Sequence, residues 1–197
     1  IADELGAIHK VIHVDELEGA GIKNNPVDRC YLCKKYMFTK VKELAHSLGI
    51  STILEGTNAD DLKQYRPGIK AIQELGLHSP LLEANMTKKE IRELAADYDL
   101  KAANKPSSPC LATRFPYHTL LNYEEMRKVE KIEDYLHACG FYNVRARIHN
   151  DLVRLEIDQD AFMKCMDYRQ EIVLFIKELG YDYVTLDLEG FRSGSQD

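Results

Sequence analysis

The chain has 197 residues, 45% hydrophobic and 29% charged, with 26 basic against 32 acidic side chains and a net charge of −6. That length and apolar content suit one medium domain or a domain and a half. The acidic balance argues against a broad nucleic-acid footprint, which needs a basic face. No run of about 18 apolar residues is present, so no membrane span is expected. No signal peptide is recognised, and five cysteines fit reduced thiols in the cytoplasm better than a secreted disulfide scaffold.

The opening run Ile-Ala-Asp-Glu-Leu-Gly (1–6) reads like the last turns of a helix stopped by Gly6, so the chain is expected to begin within a fold. Residues 7–14 alternate and are rich in β-branched side chains, which predicts a strand. A polar, glycine-containing loop is expected up to Asp28. Met37, Val41, Leu44, Ala45 and Leu48 recur at helical spacing and predict a helix over 34–48, stopped by Gly49. A short buried strand is predicted over 51–54, ending at Glu55-Gly56-Thr57-Asn58. Arg66-Pro67-Gly68 opens a short helix over 69–75 that Gly76 closes. Thr87-Lys88-Lys89-Glu90 has the form of a capping box, and its helix carries Ile91, Leu94 and Ala95 on one face to about Tyr98. Alternating strands and helices imply a parallel sheet with helices on its faces, and ligands bind beyond the carboxyl ends of such strands.

The pattern changes after Pro116. A helix is predicted over 122–138, with Met126, Val129, Ile132 and Leu136 on one side. Strands are predicted over 144–149 and 153–157, joined at Asn150-Asp151 as in a hairpin. A helix over 162–179 ends at Gly180, and a last strand covers 183–188. The fold class expected is therefore α/β, with a first domain over 1–115 and a smaller C-terminal α+β domain over 116–197. No internal repeat is evident.

The residues richest in chemistry are Cys30 and Cys33, in Asn-Pro-Val-Asp-Arg-Cys-Tyr-Leu-Cys-Lys (25–34), with Cys110 in Ser-Ser-Pro-Cys-Leu-Ala-Thr-Arg (107–114). Both runs read as loops leading into ordered elements. Three thiolates converging on one point suit a cubane iron–sulfur cluster with one iron left open. A Cys-x-x-Cys is also found in zinc sites, redox dithiols and plain loops. Zinc would draw a fourth ligand from His9, His13, His46, His78 or His118. Cys139 and Cys165 fall beside apolar neighbours and read as small core residues.

Taken together, several runs resemble the LarE family of PP-loop ATP pyrophosphatase sulfur transferases, which helps build the nickel-pincer nucleotide cofactor. These are 25–34, Glu-Gly-Thr-Asn-Ala-Asp-Asp (55–61), Arg-Pro-Gly-Ile-Lys-Ala (66–71), Pro-Cys-Leu-Ala-Thr-Arg-Phe-Pro-Tyr (109–117), Arg-Ala-Arg-Ile-His-Asn-Asp-Leu-Val-Arg-Leu-Glu (145–156) and Tyr-Val-Thr-Leu-Asp-Leu-Glu-Gly-Phe-Arg-Ser-Gly (183–194). The resemblance implies a partial PP-loop sheet, with helices on both faces, in the first domain. It implies adenylylation of a carboxylate of pyridinium-3,5-biscarboxylic acid mononucleotide by ATP with Mg2+, then replacement of the activated oxygen by sulfur. Cys30, Cys33 and Cys110 match the branch holding a [4Fe–4S] cluster that carries the transferable sulfide; Cys110 as a sacrificial sulfur donor is the alternative. The family's Ser-Gly-Gly-x-Asp-Ser loop is absent and is expected to lie before Ile1, so this polypeptide as given is expected not to hydrolyse ATP.

The resemblance also assigns roles to other residues. Lys34 steers phosphate or offsets cluster charge. Arg145 and Arg147, which alternation places on one strand face, clamp the substrate phosphate. Glu133 and Glu156 match carboxylates near the sulfur-transfer site and its metal. A third carboxylate has no clean match, Lys164 falling near its place and Asp160 being a substitute. Asp60, Asp61 and Arg66 follow a strand end and suit a nucleotide site, with turn-capping as the alternative. Arg114 and Arg192 are further anion-binding candidates, and Tyr117 and Tyr183 read as packing residues. A homo-oligomer, with a hexamer the first expectation, is implied. Two competing readings are a PP-loop tRNA thiolase, which would need a basic RNA path, and a zinc-stabilised non-catalytic module.

Overall fold

The computed structural model describes residues 1–64, 66–105 and 109–192. Ser107 and Ser108, ahead of Cys110, and Ser193 and Gly194, at the end of the last matching run, lie outside them. The chain divides into two compact units: residues 1–22 with 26–105, and residues 23–25 with 106–197.

The first unit is mostly helical. Helix α1 (Glu16–Gly19) is capped by Asp15, which accepts from the Glu18 N–H at 3.2 Å. Helix α2 spans Arg29–Ser47, so it begins five residues before the predicted start. The turn at Pro26, whose carbonyl accepts from Arg29 N–H at 3.0 Å, starts it early. Cys30 and Cys33 therefore occupy the first two turns of a helix rather than a loop. Helix α3 (Gly68–Leu75) ends at Gly76 in the left-handed region (φ 67°), a conformation that costs glycine least. It packs on α2 through Ala71 and Ile72, and Glu74 accepts from Tyr31 Oη at 2.7 Å and Lys35 Nζ at 2.8 Å. Helices α4 (Pro80–Glu83) and α5 (Lys88–Asp97) follow. The capping box of α5 forms as predicted, Thr87 and Glu90 bonding each other's backbone N–H groups.

The parallel sheet expected here is reduced, among the described residues, to one parallel bridge between Leu54 and His78. Residues 7–14 do not form a strand. Alternation alone cannot make one, because a strand needs a lateral partner for its N–H and C=O groups. No described strand pairs with this segment, and Ile8 is 90% exposed.

The second unit holds most of the core. Helix α6 (Tyr123–Ala138) is capped by Asn122, which accepts from Glu125 N–H at 2.8 Å. Strands β1 (Val144–His149) and β2 (Leu152–Ile157) pair antiparallel, with His149 opposite Leu152 across Asn150-Asp151. Asn150 takes a left-handed φ of 56°, which asparagine tolerates in such turns. Helices α7 (Phe162–Asp167) and α8 (Arg169–Glu178) replace the single helix predicted over 162–179. The interruption is one residue, Tyr168, next to which Arg169 Nη1 bonds the Met166 carbonyl at 2.9 Å. Strand β3 (Tyr183–Leu186) joins β2 in parallel, completing a mixed three-stranded sheet in the order β1-β2-β3.

The molecule is thus α/β. Val129, Ile132 and Leu136 of α6 and Ile172 and Ile176 of α8 join Val144, Ala146, Val153, Leu155 and Ile157 in the core. Tyr135 stacks on Phe175 at 4.3 Å between ring centres. Tyr183 is exposed rather than packed. No described helix is long and apolar enough to cross a membrane.

Candidate functional site: a buried arginine–carboxylate cluster

Side chains alternate along strands, so Arg145 and Arg147 share one face of β1. The sheet register puts Glu156 and Arg154 opposite them on β2. All four fall within the second unit, together with Arg114, Glu133 and Asp187. Arg114 ends the 3-10 turn Leu111–Arg114 and is 1% exposed. Its Nε and Nη2 donate to Glu133 Oε1 and Oε2, both at 2.7 Å. Glu133 also accepts from the Ala146 N–H at 2.9 Å, which ties it to β1.

Arg147 forms a second two-point pair, Nε and Nη2 to Glu156 at 3.1 and 3.0 Å, and donates to the Thr113 carbonyl at 2.7 Å. Arg154 reaches Glu156 at 3.3 Å and Asp187 at 2.8 Å. Arg145 lies over the Phe191 ring at 4.9 Å. Burial first, then Arg114 and Arg147, depress its pKa against the pull of Glu133 and Glu156. Four guanidinium groups thus face three carboxylates in one buried patch. Arg114 and Arg147 spend their two-point donor sets on Glu133 and Glu156.

The structure brings Arg145, Arg147, Glu133 and Glu156 together, and both carboxylates are engaged by arginines. Arg114, a secondary candidate from sequence, sits at the centre. Arg154, Asp187 and Phe191 were missed. Arg154 lies in the same run as Glu156, two residues before it, and that spacing was the available signal. Lys164, near the place of the third family carboxylate, donates to the Gly140 carbonyl at 3.0 Å and lies over Phe141. Asp160 sits in the 3-10 turn Gln159–Ala161 and is exposed. Arg192 pairs with Glu189 at 2.8 Å.

Cys110 precedes the Arg114 turn and is exposed; its carbonyl accepts from Arg114 Nη1 at 3.3 Å. Asn25 anchors the same turn, donating to the carbonyls of Phe115 and Pro116 at 3.0 and 2.8 Å. The thiol loop and the arginine cluster are therefore one connected piece of structure.

In the first unit, Cys30 is exposed and Cys33 half-buried, one helical turn apart on one face of α2. Lys34 Nζ stands 4.0 Å from Glu55. The Glu55 carboxylate is buried and accepts from Thr57 N–H, Thr57 Oγ1 and Ser79 Oγ. Asp60 and Asp61 serve local structure. Asp61 bonds Asn58 N–H at 3.1 Å and pairs with Arg66 at 3.1 Å. Asp60 accepts from Lys88 N–H at 2.9 Å, and the Lys63 ammonium holds its carboxyl below the ordinary range. Cys165 is buried, which pushes its thiol pKa up. None of the described cysteines forms a disulfide. Among the described residues no three His, Cys, Asp or Glu side chains are grouped to hold a metal. Cys30 and Cys33 belong to one unit and Cys110 to the other.

No protein-family model matches the chain. It is 38% identical over 194 residues to pyridinium-3,5-bisthiocarboxylic acid mononucleotide synthase of Lactiplantibacillus plantarum, spanning 98% of this chain and 70% of that protein. It is 36% identical over 195 residues to an uncharacterized protein of Synechocystis sp., spanning 98% of this chain and 73% of that protein. A protein of Methanocaldococcus jannaschii is 33% identical over 184 residues, 93% of this chain and 70% of that protein. With this identity over nearly its whole length, the chain belongs to the pyridinium-3,5-bisthiocarboxylic acid mononucleotide synthase (LarE) family.

Proposed function

We propose that the protein is a sulfur transferase that converts an adenylylated carboxylate of pyridinium-3,5-biscarboxylic acid mononucleotide into a thiocarboxylate. The observation that carries this reading is the 38% identity to a synthase of the bisthiocarboxylic acid mononucleotide. The buried arginine cluster supports it, being suited to a phosphate-bearing substrate. A carboxylate is a poor electrophile, and AMP converts it into a mixed anhydride with a good leaving group. Sulfide attacks the carbonyl carbon, a C–S bond forms, and the C–O bond to phosphate breaks as AMP leaves with the electron pair. Adenylylation by ATP with Mg2+ belongs to the same proposal. The sequence holds no Ser-Gly-Gly-x-Asp-Ser loop, so no nucleotide hydrolysis is assigned to residues 1–197.

The chain's own residues take defined parts. Arg145 and Arg147 attract the substrate phosphate, while Glu133 and Glu156 fix the arginine array through Arg114 and Arg147. Lys34, held near Glu55, offsets negative charge beside Cys30 and Cys33. Asp60, Asp61 and Arg66 shape the edge of a PP-loop-type nucleotide site. Cys30, Cys33 and Cys110 fit an iron–sulfur ligand set in their chemistry: three solvent-reachable thiols outside any disulfide. A bound [4Fe–4S] cluster would supply the sulfide at its open iron. We further propose a cytoplasmic homo-oligomer, a hexamer being the state to test.

The test is product analysis. The full-length protein, prepared without oxygen and supplied with the adenylylated substrate and sulfide, should release AMP and a product in which sulfur replaces one carboxylate oxygen by mass spectrometry. Release of AMP with only the carboxylate recovered would overturn the reading.

A further inference from the structure

The sheet face that carries the arginines has a third member on β1. Alternation puts His149 in the row of Arg145 and Arg147. His149 also lines a hollow of about 270 Å3 in the second unit, with Phe115, Leu120 and Ile148 as apolar walls. That volume is close to the lower end of small-molecule sites, at about 300 Å3, and the polar residues lining it are Thr119, Glu125, His149 and Asn150. Glu125 on the rim is already answered by Lys128 Nζ at 2.6 Å and Tyr181 Oη at 2.8 Å.

We infer that His149 is a further substrate-binding residue, whose imidazole meets the phosphate of a mononucleotide at the end of the arginine row. The inference rests on the mononucleotide reading above. The charged groups around the imidazole are Arg147 on its own strand, Arg154 and Glu156 on β2, Glu125 from α6, and Asp187 beyond β3, which is engaged by Arg154. The packing around the ring, then Arg154 and Arg147, hold its pKa below the ordinary value of 6.5 against Glu156. The unliganded side chain is therefore neutral near pH 7. A phosphate dianion within contact reverses the balance, because an opposite charge at about 4–6 Å favours the charged form.

The sign of the effect follows. The bound pKa lies above the free one, so protons are taken up only between the two values. Affinity rises as pH falls across that window and levels off below the free value. The slope inside the window approaches about tenfold per pH unit for a full proton.

The experiment is calorimetric titration of the full-length protein with pyridinium-3,5-biscarboxylic acid mononucleotide. It is run at several pH values in buffers of different ionisation enthalpy. His149→Gln keeps a hydrogen-bonding side chain that does not titrate, at an exposed position. The ligand's own phosphate has its second pKa near ~6 and is coupled to any imidazole it touches, so the difference between the two proteins reports the histidine–phosphate pair. The inference predicts more proton uptake and a steeper pH slope in the wild type than in His149→Gln. Equal uptake and equal slopes, with binding intact, would overturn it and leave the arginine reading standing. No binding by the wild type at any pH would overturn both.

Discussion

Arg147 and Glu156 pair diagonally across one hairpin, and their pair is almost fully shielded, at 5% and 0% side-chain exposure. Two charges removed from water lose solvation worth several kcal/mol each, which only good geometry offsets. Removing one partner leaves the other buried and unanswered. Glu156→Ala is therefore expected to lower unfolding stability by about 3–5 kcal/mol in chemical denaturation; a loss under about 1 kcal/mol would mean that the pair is not closed in solution. Arg145 differs, since its neighbours depress its pKa and it rests on an aromatic ring. Arg145→Ala should raise the KM for the mononucleotide roughly tenfold or more, as loss of a charged hydrogen bond of about 1.5–3 kcal/mol implies. Unchanged kinetics would remove it from the site. At this scale the sequence was informative within one hairpin, where alternation ties Arg145 and Arg147 to one face, and the register adds Glu156 to it. It named Arg114 and Glu133 as separate candidates but was mute about the contact between them. That contact spans 19 positions and depends on how α6 is rotated against β1, which no local pattern encodes.

Elements with strong local signals formed where expected. The capping box of α5 is one, and Thr87→Ala should cost about 1 kcal/mol, read as a shift in the denaturation midpoint. The α6 pattern and the β1–β2 turn are others. The start of α2 was misplaced because apolar periodicity begins only at Met37, whereas the Pro26 turn starts the helix at Arg29. This error carried the Cys30 and Cys33 pair from a presumed loop onto a helix. The contact between α6 and the end of α8 has a pH signature. Burial raises the Glu125 carboxyl pKa, but bonds from Lys128 and Tyr181 outweigh it and hold the group below its ordinary value of 4.5. Its contribution to stability is complete above the unfolded-state pKa and is lost as pH falls through the lower folded value. Tyr181→Phe should cost about 1 kcal/mol near neutral pH and less at pH ~3, by urea midpoints across that range; an equal loss at both ends would contradict the bond.

Across the whole molecule, burial is uneven. The second unit supplies nearly all of the large buried side chains, including Ile132, Leu136, Ile157 and Ile176. The first unit buries mainly Leu17, Ile22, Ala45, Ala71, Ile72 and Ala103. Opening free energy follows buried contact and hydrogen bonding, so amide exchange should be slowest in β1 and β2 and fast over residues 7–14. Protection of 7–14 equal to that of β2 would contradict this. The α/β class was legible from alternating patterns, but a sheet is a set of lateral partnerships, which one strand's pattern does not reveal. The predicted strands over 7–14 and 51–54 illustrate this, reducing to a segment without regular secondary structure and one bridge.

The central claim is that Cys30, Cys33 and Cys110 act together on sulfur chemistry. Its most direct test is iron and acid-labile sulfide analysis of the full-length protein reconstituted without oxygen, alongside Cys30→Ala, Cys33→Ala and Cys110→Ala. The account predicts about four irons and four sulfides per chain in the wild type and a loss of both in each variant. About one zinc per chain without iron or sulfide, or full iron content in the Cys110→Ala protein, would contradict it.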